Sequence, residues 1–197
     1  MTVVAFETHP VTPDRFDDFA DVVNPRRRAT HCWCLSHRLT AGEIEELGQG
    51  SRERAARALG HRRHPPGVVG YADGVPVGWC SLGPRADNSR LVRSTVIRPL
   101  DDVPVWSIVC VVVRGGHRRR GHTTPLIEGA VAWAASRGAP VVEAYPVDVG
   151  DDERIDTTMA FVGTRAMFAR AGFEVVGTTD ATGSGRPRIV MRRATQG

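Results

Sequence analysis

The sequence contains no lysine, and all 26 of its basic residues are arginine. Because alanine, glycine, valine and proline are abundant, we attribute this absence to the codon composition of a GC-rich genome. Without lysine the chain has no Gly-Lys-Ser/Thr loop of the kind that holds a nucleotide in P-loop proteins. The formal net charge of +4 favours an anionic ligand.

Cysteines are few and long apolar runs are missing. Four cysteines in 197 residues are too few for a secreted disulfide scaffold, so we expect reduced thiols at Cys32, Cys34, Cys80 and Cys110. The most apolar run, residues 108–113, is far too short to span a bilayer. The first ten residues lack a basic segment followed by an apolar stretch. We therefore expect a cytoplasmic protein with no membrane association.

The hydrophobic pattern predicts a single α/β domain over residues 1–197. Predicted strands cover residues 3–6, 68–71, 75–79, 105–113, 141–145, 173–176 and 189–191. Predicted helices cover residues 13–24, 40–61 with interruptions at Gly48 and Gly50, the segment between Gly121 and Gly138, and 159–171. Residues 84–104, 148–158 and the Gly/Thr/Ser-rich stretch before Ile189 are predicted to be loops.

Local signals support several of these boundaries. Thr40 and Glu43 have the spacing of a capping box at a helix start. Thr12 followed by Pro13 is typical of a helix N-terminus. Asp73-Gly74 between two apolar segments predicts a tight hairpin turn.

The strongest functional signal lies between Val113 and Thr123, where a strand ends and a helix begins. The first N–H groups of a helix have no partner within the helix, and the helix dipole is positive there. A pyrophosphate can accept those N–H groups. Gly121 permits close approach of the main chain, and the arginines at 118–120 add charge-assisted contacts. The alternative is a solvated basic turn, and the spaced glycines of a dinucleotide-binding loop are absent.

This segment resembles motif A of the GNAT N-acetyltransferase superfamily. In that motif Gln or Arg, two residues, Gly, one residue, and Gly or Ala contact the pyrophosphate of acetyl-CoA. Here the positions are Arg118, Gly121 and, as a departure, Thr123. The resemblance continues through 141–145 and through 166–173, which is similar to the closing helix and Gly-Phe turn of the superfamily. It covers about two-thirds of the chain.

The resemblance implies a mixed, mostly antiparallel sheet of six or seven strands, splayed at its centre and flanked by about four helices. It implies acceptor-side helices over 12–64 and an acetyl-CoA-binding core over 67–193. The implied cofactor-binding residues are Val111, Val113, Arg118, Arg119, Arg120, Gly121, His122 and Thr123. The pantetheine arm would bond main-chain groups near Val111 and Val113, and an N–H near Val111 would stabilise the oxyanion.

The implied reaction is direct attack of an amine on acetyl-CoA in a ternary complex. We expect a small-molecule amine as the acceptor, and the resemblance further implies a homodimer. Nucleic acid is not expected, because the arginines at 26–28 have no aromatic stacking platform nearby.

The catalytic residues are less clear from the sequence. Many relatives have a tyrosine acid at the position of Phe168, and histone-type relatives have a glutamate base at the position of Ser107. Our candidates are Glu143 and Tyr145, which alternate onto one face of a strand, with Ser107 orienting water. The alternatives are a structural carboxylate paired with an arginine and a half-buried aromatic ring. These departures also leave open a non-catalytic acyl-CoA-binding protein.

The cysteine segment from His31 to His37 supports three interpretations. It offers four nitrogen or sulfur ligands for zinc, although their spacing is poor. It also suits a packed loop anchored by Trp33. Thirdly, it resembles the Cys-Trp-Cys segment of a bacterial subgroup of the superfamily and would then wall the acceptor site. We predict no bound metal, and strand alternation predicts that Cys110 faces away from Ser107, Val111 and Val113.

Overall fold

The computed structural model describes residues 5–149 and 160–195. In these residues the strands are β1 (Phe6–Pro10), β2 (Gly67–Ala72), β3 (Val75–Pro84), β4 (Trp106–Val113), β5 (Val141–Ala144), β6 (Glu174–Gly183) and β7 (Arg186–Ala194). The helices are α1 (Phe16–Val23), α2 (Ala41–Gly48), α3 (Arg52–Gly60), α4 (Ser89–Val92), α5 (Thr123–Ser136) and α6 (Arg165–Arg170).

All seven strands form one sheet in the order β1-β2-β3-β4-β5-β7-β6. Each neighbouring pair is antiparallel except β4 and β5, which are parallel. The predicted α/β fold with a mixed, mostly antiparallel sheet is therefore confirmed. The described residues contain six helices rather than about four, because the predicted helix 40–61 divides into two and the short α4 lies in a predicted loop.

Each face of the sheet carries its own hydrophobic core. One face packs Ile108 and Val111 against α5 and α6, including Leu126 and Phe168. The opposite face packs Trp79 and Cys110 against α1, α3 and the segment around Trp33. A smaller cluster on this second face gathers Val109, Tyr145 and Leu91. The 12–64 region therefore covers part of the second face.

Two predicted helix starts have the expected residues. Thr40 accepts a hydrogen bond from the Glu43 N–H, and the Glu43 side chain accepts one from the Thr40 N–H, so the capping box is confirmed. Gln49 and Gly50 both adopt positive φ, which separates α2 from α3 at the predicted interruption. Thr12 occupies the N-cap without a side-chain bond, and a 3-10 turn over 13–15 precedes α1.

Four strand predictions were wrong in extent, those for β1, β3, β6 and β7; β3 continues to Pro84 and β7 covers Arg186–Ala194. Strand β1 extends to Pro10, and its antiparallel pairing with β2 sets these bounds; residues 3 and 4 lie outside the described residues. Residues 177–183 belong to β6 rather than a loop, because pairing with β7 satisfies their main chain despite weak strand propensity. The connecting turn uses positive φ at Ser184 and Gly185, as a tight hairpin requires.

The predicted helix 159–171 was also wrong in extent. Gly163 has φ +75° and separates a 3-10 turn over 160–162 from α6, which begins at Arg165. Thr164 caps α6 by accepting the Met167 N–H at 3.2 Å. Most of the predicted loop 148–158 lies outside the described residues.

Strands β4 and β5 splay apart. They pair only from Trp106↔Val142 to Ile108↔Ala144. Directly beyond Ile108 the β3–β4 register skips Val109, which forms a β-bulge. A bulge bends its strand and increases the local twist, so it accounts for the departure of β4 from β5. The predicted splayed central strands are therefore present.

The bulge also corrects the prediction for Cys110. Ile108 and Val111 both pack on the α5 face, although they are three residues apart. Because Val109 is an extra residue, Cys110 shares the opposite face with Ser107, so the prediction was wrong for Ser107 and right for Val111. Strand alternation fails here because it assumes an unbroken ladder.

No helix in the two described stretches of chain is long and apolar enough to cross a membrane.

Candidate active site

A cavity of about 340 Å³ lies beside the end of β4, beyond the point where β4 leaves β5. The 3-10 turn over 160–162 packs against β4. The cavity is lined by the predicted cofactor residues Val111, Val113, Arg118, Arg119, His122 and Thr123, together with Val112, His117, Phe161 and Met167. Arg120 and Gly121 lie outside this lining and are exposed. The tertiary structure thus brings most of the predicted cofactor residues to one opening.

The turn leading into α5 needs glycine at Gly121. Its φ of +80° lies in the left-handed region, and a side chain there would meet nothing within 4 Å. His122 is the N-cap of α5 but makes no side-chain capping bond. The first N–H groups of α5 therefore lack a capping side chain beside an arginine-rich opening, which suits an anionic ligand.

Two contacts hold the sides of this opening. The Arg118 Nε donates to the Val113 carbonyl at 3.1 Å, so the turn is tied to the end of β4. The His122 ring stacks on Phe6 with centroids 5.8 Å apart. Burial, and then the neighbouring His117 and Arg120, lower the pKa of His122. The positive charge at the opening therefore comes from the arginines.

A second cavity of about 600 Å³ adjoins the first and shares Phe161 with it. Val109 and Tyr145, at the point where the strands splay, belong to its lining. Ser36 and His37 reach it from the cysteine segment, and the His37 ring stacks on Phe161 with centroids 4.0 Å apart. The remaining lining residues are Arg90, Leu91, Arg93, Ser94, Thr95, Val96, Ile97, Val162, Asp180, Ala181, Thr182 and Arg188.

The three predicted catalytic residues lie in one buried hydrogen-bond network. The Tyr145 hydroxyl donates to Glu143 Oε1 at 2.5 Å and lies 3.0 Å from the Ser107 hydroxyl. Each of the three is only 1% exposed. Burial, and then the charge of Glu143, raise the pKa of Tyr145, so its hydroxyl stays protonated. Of the three, only Tyr145 lines the second cavity.

Two arginines complete this network, and sequence reasoning did not find them. Arg192 Nε donates to Glu143 Oε2 at 2.7 Å and also holds the carboxylate of Asp101. Arg85 Nη1 donates to the Tyr145 hydroxyl at 2.6 Å. Glu143 and Arg192 are directly opposite in the β5–β7 register. Opposite charges on paired strands are a recognisable signal only once that register is known.

His37 is the second residue whose place the sequence did not reveal. It was considered as a zinc ligand, but it lies on the second cavity against Phe161. A histidine is the commonest proton acceptor in catalysis near neutral pH. No sequence signal pairs it with Phe161, because the two are far apart in the chain.

The cysteine segment does not gather metal ligands. Among residues 5–149 and 160–195 no group of three or more His, Cys, Asp or Glu side chains could hold a metal ion. Instead, Cys34 Sγ lies 3.7 Å from Cys110 Sγ. Burial opposes ionisation of Cys32, but hydrogen bonds with His37 and Ser36 outweigh it and lower its pKa to about 6. These contacts favour a packed loop beside the cavity over a zinc site.

Phe168 is fully buried and packs edge-on against Phe173, with ring centroids 5.2 Å apart. The aromatic position that carries a tyrosine acid in many superfamily members is thus a core residue here.

Burial raises the pKa of Cys80, and hydrogen bonding to Cys34 and burial raise that of Cys110. Neither thiol has the character of a nucleophile.

The fold is that of solved acyltransferases. The structure of aminoglycoside acetyltransferase AAC(6')-Ib with coenzyme A is 14% identical, with a TM-score of 0.55 over 98% of this chain and 96% of its own. Another acetyltransferase structure is 16% identical, with a TM-score of 0.57 over 96% and 99%. An uncharacterized protein from Bacillus halodurans is 13% identical, with a TM-score of 0.56 over 97% and 84%. At these identities the likeness shows the fold alone.

The sequence itself gives the family. The profile of the acetyltransferase (GNAT) family matches residues 28–173, which is most of the chain, and the chain belongs to that family. The protein is therefore an acyltransferase. Among curated proteins none matches the chain.

Proposed function

We propose that the protein transfers the acetyl group of acetyl-CoA to an amine of a small molecule within a ternary complex. The two adjoining cavities, joined at Phe161 where β4 leaves β5, carry this proposal. The amine nitrogen attacks the thioester carbonyl carbon. A C–N bond forms, the C–S bond breaks, and the amine proton balances the departing thiolate as CoA-SH.

The smaller cavity is assigned to the cofactor. We infer that Arg118, Arg119 and Arg120 neutralise the phosphates, while the main chain at Gly121, His122 and Thr123 donates to the pyrophosphate. The open edge of β4 at Val111 and Val113 would hold the pantetheine arm. The Arg118 bond to the Val113 carbonyl would have to exchange when the ligand enters. The coenzyme A bound in a solved acetyltransferase of this fold supports the assignment.

The larger cavity is assigned to the acceptor. Residues 12–64 contribute Ser36 and His37 to it, which supports the division into an acceptor-side region and a core over 67–193 within one domain. The solved complex of AAC(6')-Ib with kanamycin supports a small-molecule acceptor. We retain the cytoplasmic location as a prediction from the sequence and the homodimer as an expectation from the family resemblance.

We assign proton removal to His37. Its hydrogen bond with Cys32 uses one ring nitrogen, and we infer that the other takes the proton in the cavity that His37 lines. Glu143 has both oxygens engaged and does not line the cavity, so its contacts favour a positioning role for it and for Ser107. Tyr145 lines the cavity, but its one hydroxyl proton is donated to Glu143, so we infer a positioning role for it as well.

Calorimetric titration with acetyl-CoA, CoA and 3′-dephospho-CoA tests the cofactor assignment. We expect micromolar binding of acetyl-CoA, about −8 kcal/mol. Turnover is then measured as CoA release with a panel of amines. Folded protein that binds none of the three cofactors would refute the proposal.

A second candidate is an acyl-CoA-binding protein without turnover. The buried Phe168, in place of the acid found in many relatives, favours it. Micromolar acetyl-CoA binding with no acetylation of any amine in the panel would select this candidate.

A further inference from the structure

The acceptor cavity carries an excess of positive charge. Arg90, Arg93 and Arg188 line it, and Asp180 is the one carboxylate among its described lining residues. Arg90 and Arg93 are exposed, and neither forms an ion pair within 4.0 Å with a carboxylate of the described residues. Arg93 is partly offset by Glu43, whose carboxylate it influences. The cavity therefore presents cationic groups that the described protein leaves largely uncompensated.

Arg188 is the most constrained of the three. It is partly buried on β7, and its Nε donates to the Tyr145 carbonyl at 2.8 Å. That bond holds the guanidinium beside Tyr145, where β4 and β5 splay apart. In residues 5–149 and 160–195 no side chain forms an ion pair with Arg188. Burial lowers the pKa of Arg188, which is the effect expected when a charge loses water without gaining a counter-ion.

We infer that the acceptor is an amine that also carries a carboxylate or phosphate, and that Arg188 and Arg90 bind this anion while the amine faces His37. The inference rests on the proposed function, because it names the substrate class of the same cavity. An arginine fork matches the two oxygens of either anion, and a partly dehydrated arginine gains most from such a partner. A polycationic acceptor would instead meet like charge.

The experiment compares amines that differ only in the distant group. One pair is 4-(aminomethyl)benzoate and 4-(aminomethyl)benzamide, and the other is glucosamine 6-phosphate and glucosamine. Kanamycin and spermidine represent polycationic acceptors. We expect kcat/KM with acetyl-CoA to be about tenfold or more higher for at least one anionic member than for its neutral partner, as one charge-assisted contact permits. The two pairs distinguish a carboxylate from a phosphate.

Variants test whether the arginines of the cavity cause the preference for anionic amines. Arg188→Gln should reduce the anionic preference to near parity, mainly through KM, and Arg188→Lys should restore part of it. Arg90→Gln removes an exposed side chain and should reduce the preference without affecting folding. Arg137→Gln, an exposed change of equal charge at the far end of α5, should leave the preference intact.

The outcomes separate this inference from the proposed function. If acetyl-CoA does not bind, the proposed function itself fails. If neutral or polycationic amines are acetylated as well as anionic ones, acetyl transfer stands and the inference is overturned. An anionic preference unchanged in both arginine variants also overturns it. A higher kcat/KM with succinyl-CoA than with acetyl-CoA, measured with ethanolamine as the acceptor, would also overturn it. The arginines would then bind the acyl group and not the acceptor.

Binding supplies the second measurement. Calorimetry of the same amines with the protein saturated by CoA should give a lower Kd for the anionic members. Anionic amines that show neither turnover nor binding would overturn the inference while cofactor binding persists.

Discussion

The Tyr145 hydroxyl donates a 2.5 Å hydrogen bond to Glu143 Oε1 at the point where β5 leaves β4. The contact joins the two residues that the sequence predicts to handle protons, beside the point where the strands splay. Glu143 is held from the other side by Arg192, and Tyr145 by Arg85. The network therefore joins the sheet to the wall of the acceptor cavity.

Replacing the carboxylate should weaken the fold more than the proton transfer. Glu143→Gln removes the negative charge facing Arg192 and Arg85, and we expect a loss of about 1–3 kcal/mol in the free energy of unfolding, measured by urea titration. Asp101→Asn removes only the exposed partner of Arg192 and should cost less, because solvent screens an exposed ion pair. The ionisations in the pH–kcat profile should persist in Glu143→Gln. Disappearance of one of them would restore Glu143 as the base.

Negative charge at the start of α5 should strongly weaken cofactor binding. Gly121→Asp places a negative group at the proposed phosphate site, and we expect acetyl-CoA affinity to fall by more than about tenfold. Gly138→Asp is a matched control, because Gly138 has φ +81° and open surroundings at the other end of α5. Both variants should lose similar stability from backbone strain. Equal acetyl-CoA affinities in the two would refute the assigned site.

The His37 assignment predicts a loss of chemistry with retained binding. His37→Gln should lower kcat about 100-fold, the lower range for a general base, and leave the Kd for acetyl-CoA unchanged. His31→Gln changes a neighbouring, exposed histidine and should have little effect. The proton-acceptor role is excluded if His37→Gln retains the wild-type kcat and pH profile.

Cys32 should be the reactive thiol of the chain. Since the hydrogen bonds with His37 and Ser36 lower its pKa to about 6, the thiolate is present above pH 6 and lost as pH falls through that value. Iodoacetamide labelling followed by mass spectrometry should show a midpoint near pH 6 at Cys32. His37→Gln should raise that midpoint, and Cys80 should stay unlabelled in the folded protein because it is buried. A midpoint near the ordinary value of 9.0 would contradict the hydrogen-bonded arrangement.

Arg85 should control the shape of the acceptor cavity. Its Nη2 donates to the carbonyls of Leu91 and Ile97, while Nη1 holds Tyr145. Arg85→Gln should raise the KM of the acceptor and leave acetyl-CoA affinity unchanged, as separate titrations would show. Arg98→Gln provides the control, because Arg98 is exposed and, among the described residues, its side chain bonds only the nearby Thr95 carbonyl. An unchanged acceptor KM in Arg85→Gln would refute this positioning role.

The sequence by itself determined the α/β class, most element positions, and the arginine-rich turn from β4 into α5. These features depend on local physics, namely hydrophobic period, capping residues and the glycines that permit positive φ. The capping box at Thr40 and the separation of α2 from α3 follow from a few neighbouring residues. Resemblance then supplied the family, which the match over residues 28–173 established.

Tertiary structure alone decided the rest, because it depends on which distant segments meet. The Val109 bulge places Ser107 and Cys110 on the same face of the sheet, and only the β3–β4 pairing shows this bulge. The Gly/Thr-rich residues of β6 become a strand because β7 pairs with them. Arg192 bonds Glu143, and His37 stacks on Phe161, although each pair is far apart in the sequence and no local pattern predicts the contact. The charge of the acceptor cavity likewise arises from three arginines that only the folded sheet brings to one opening.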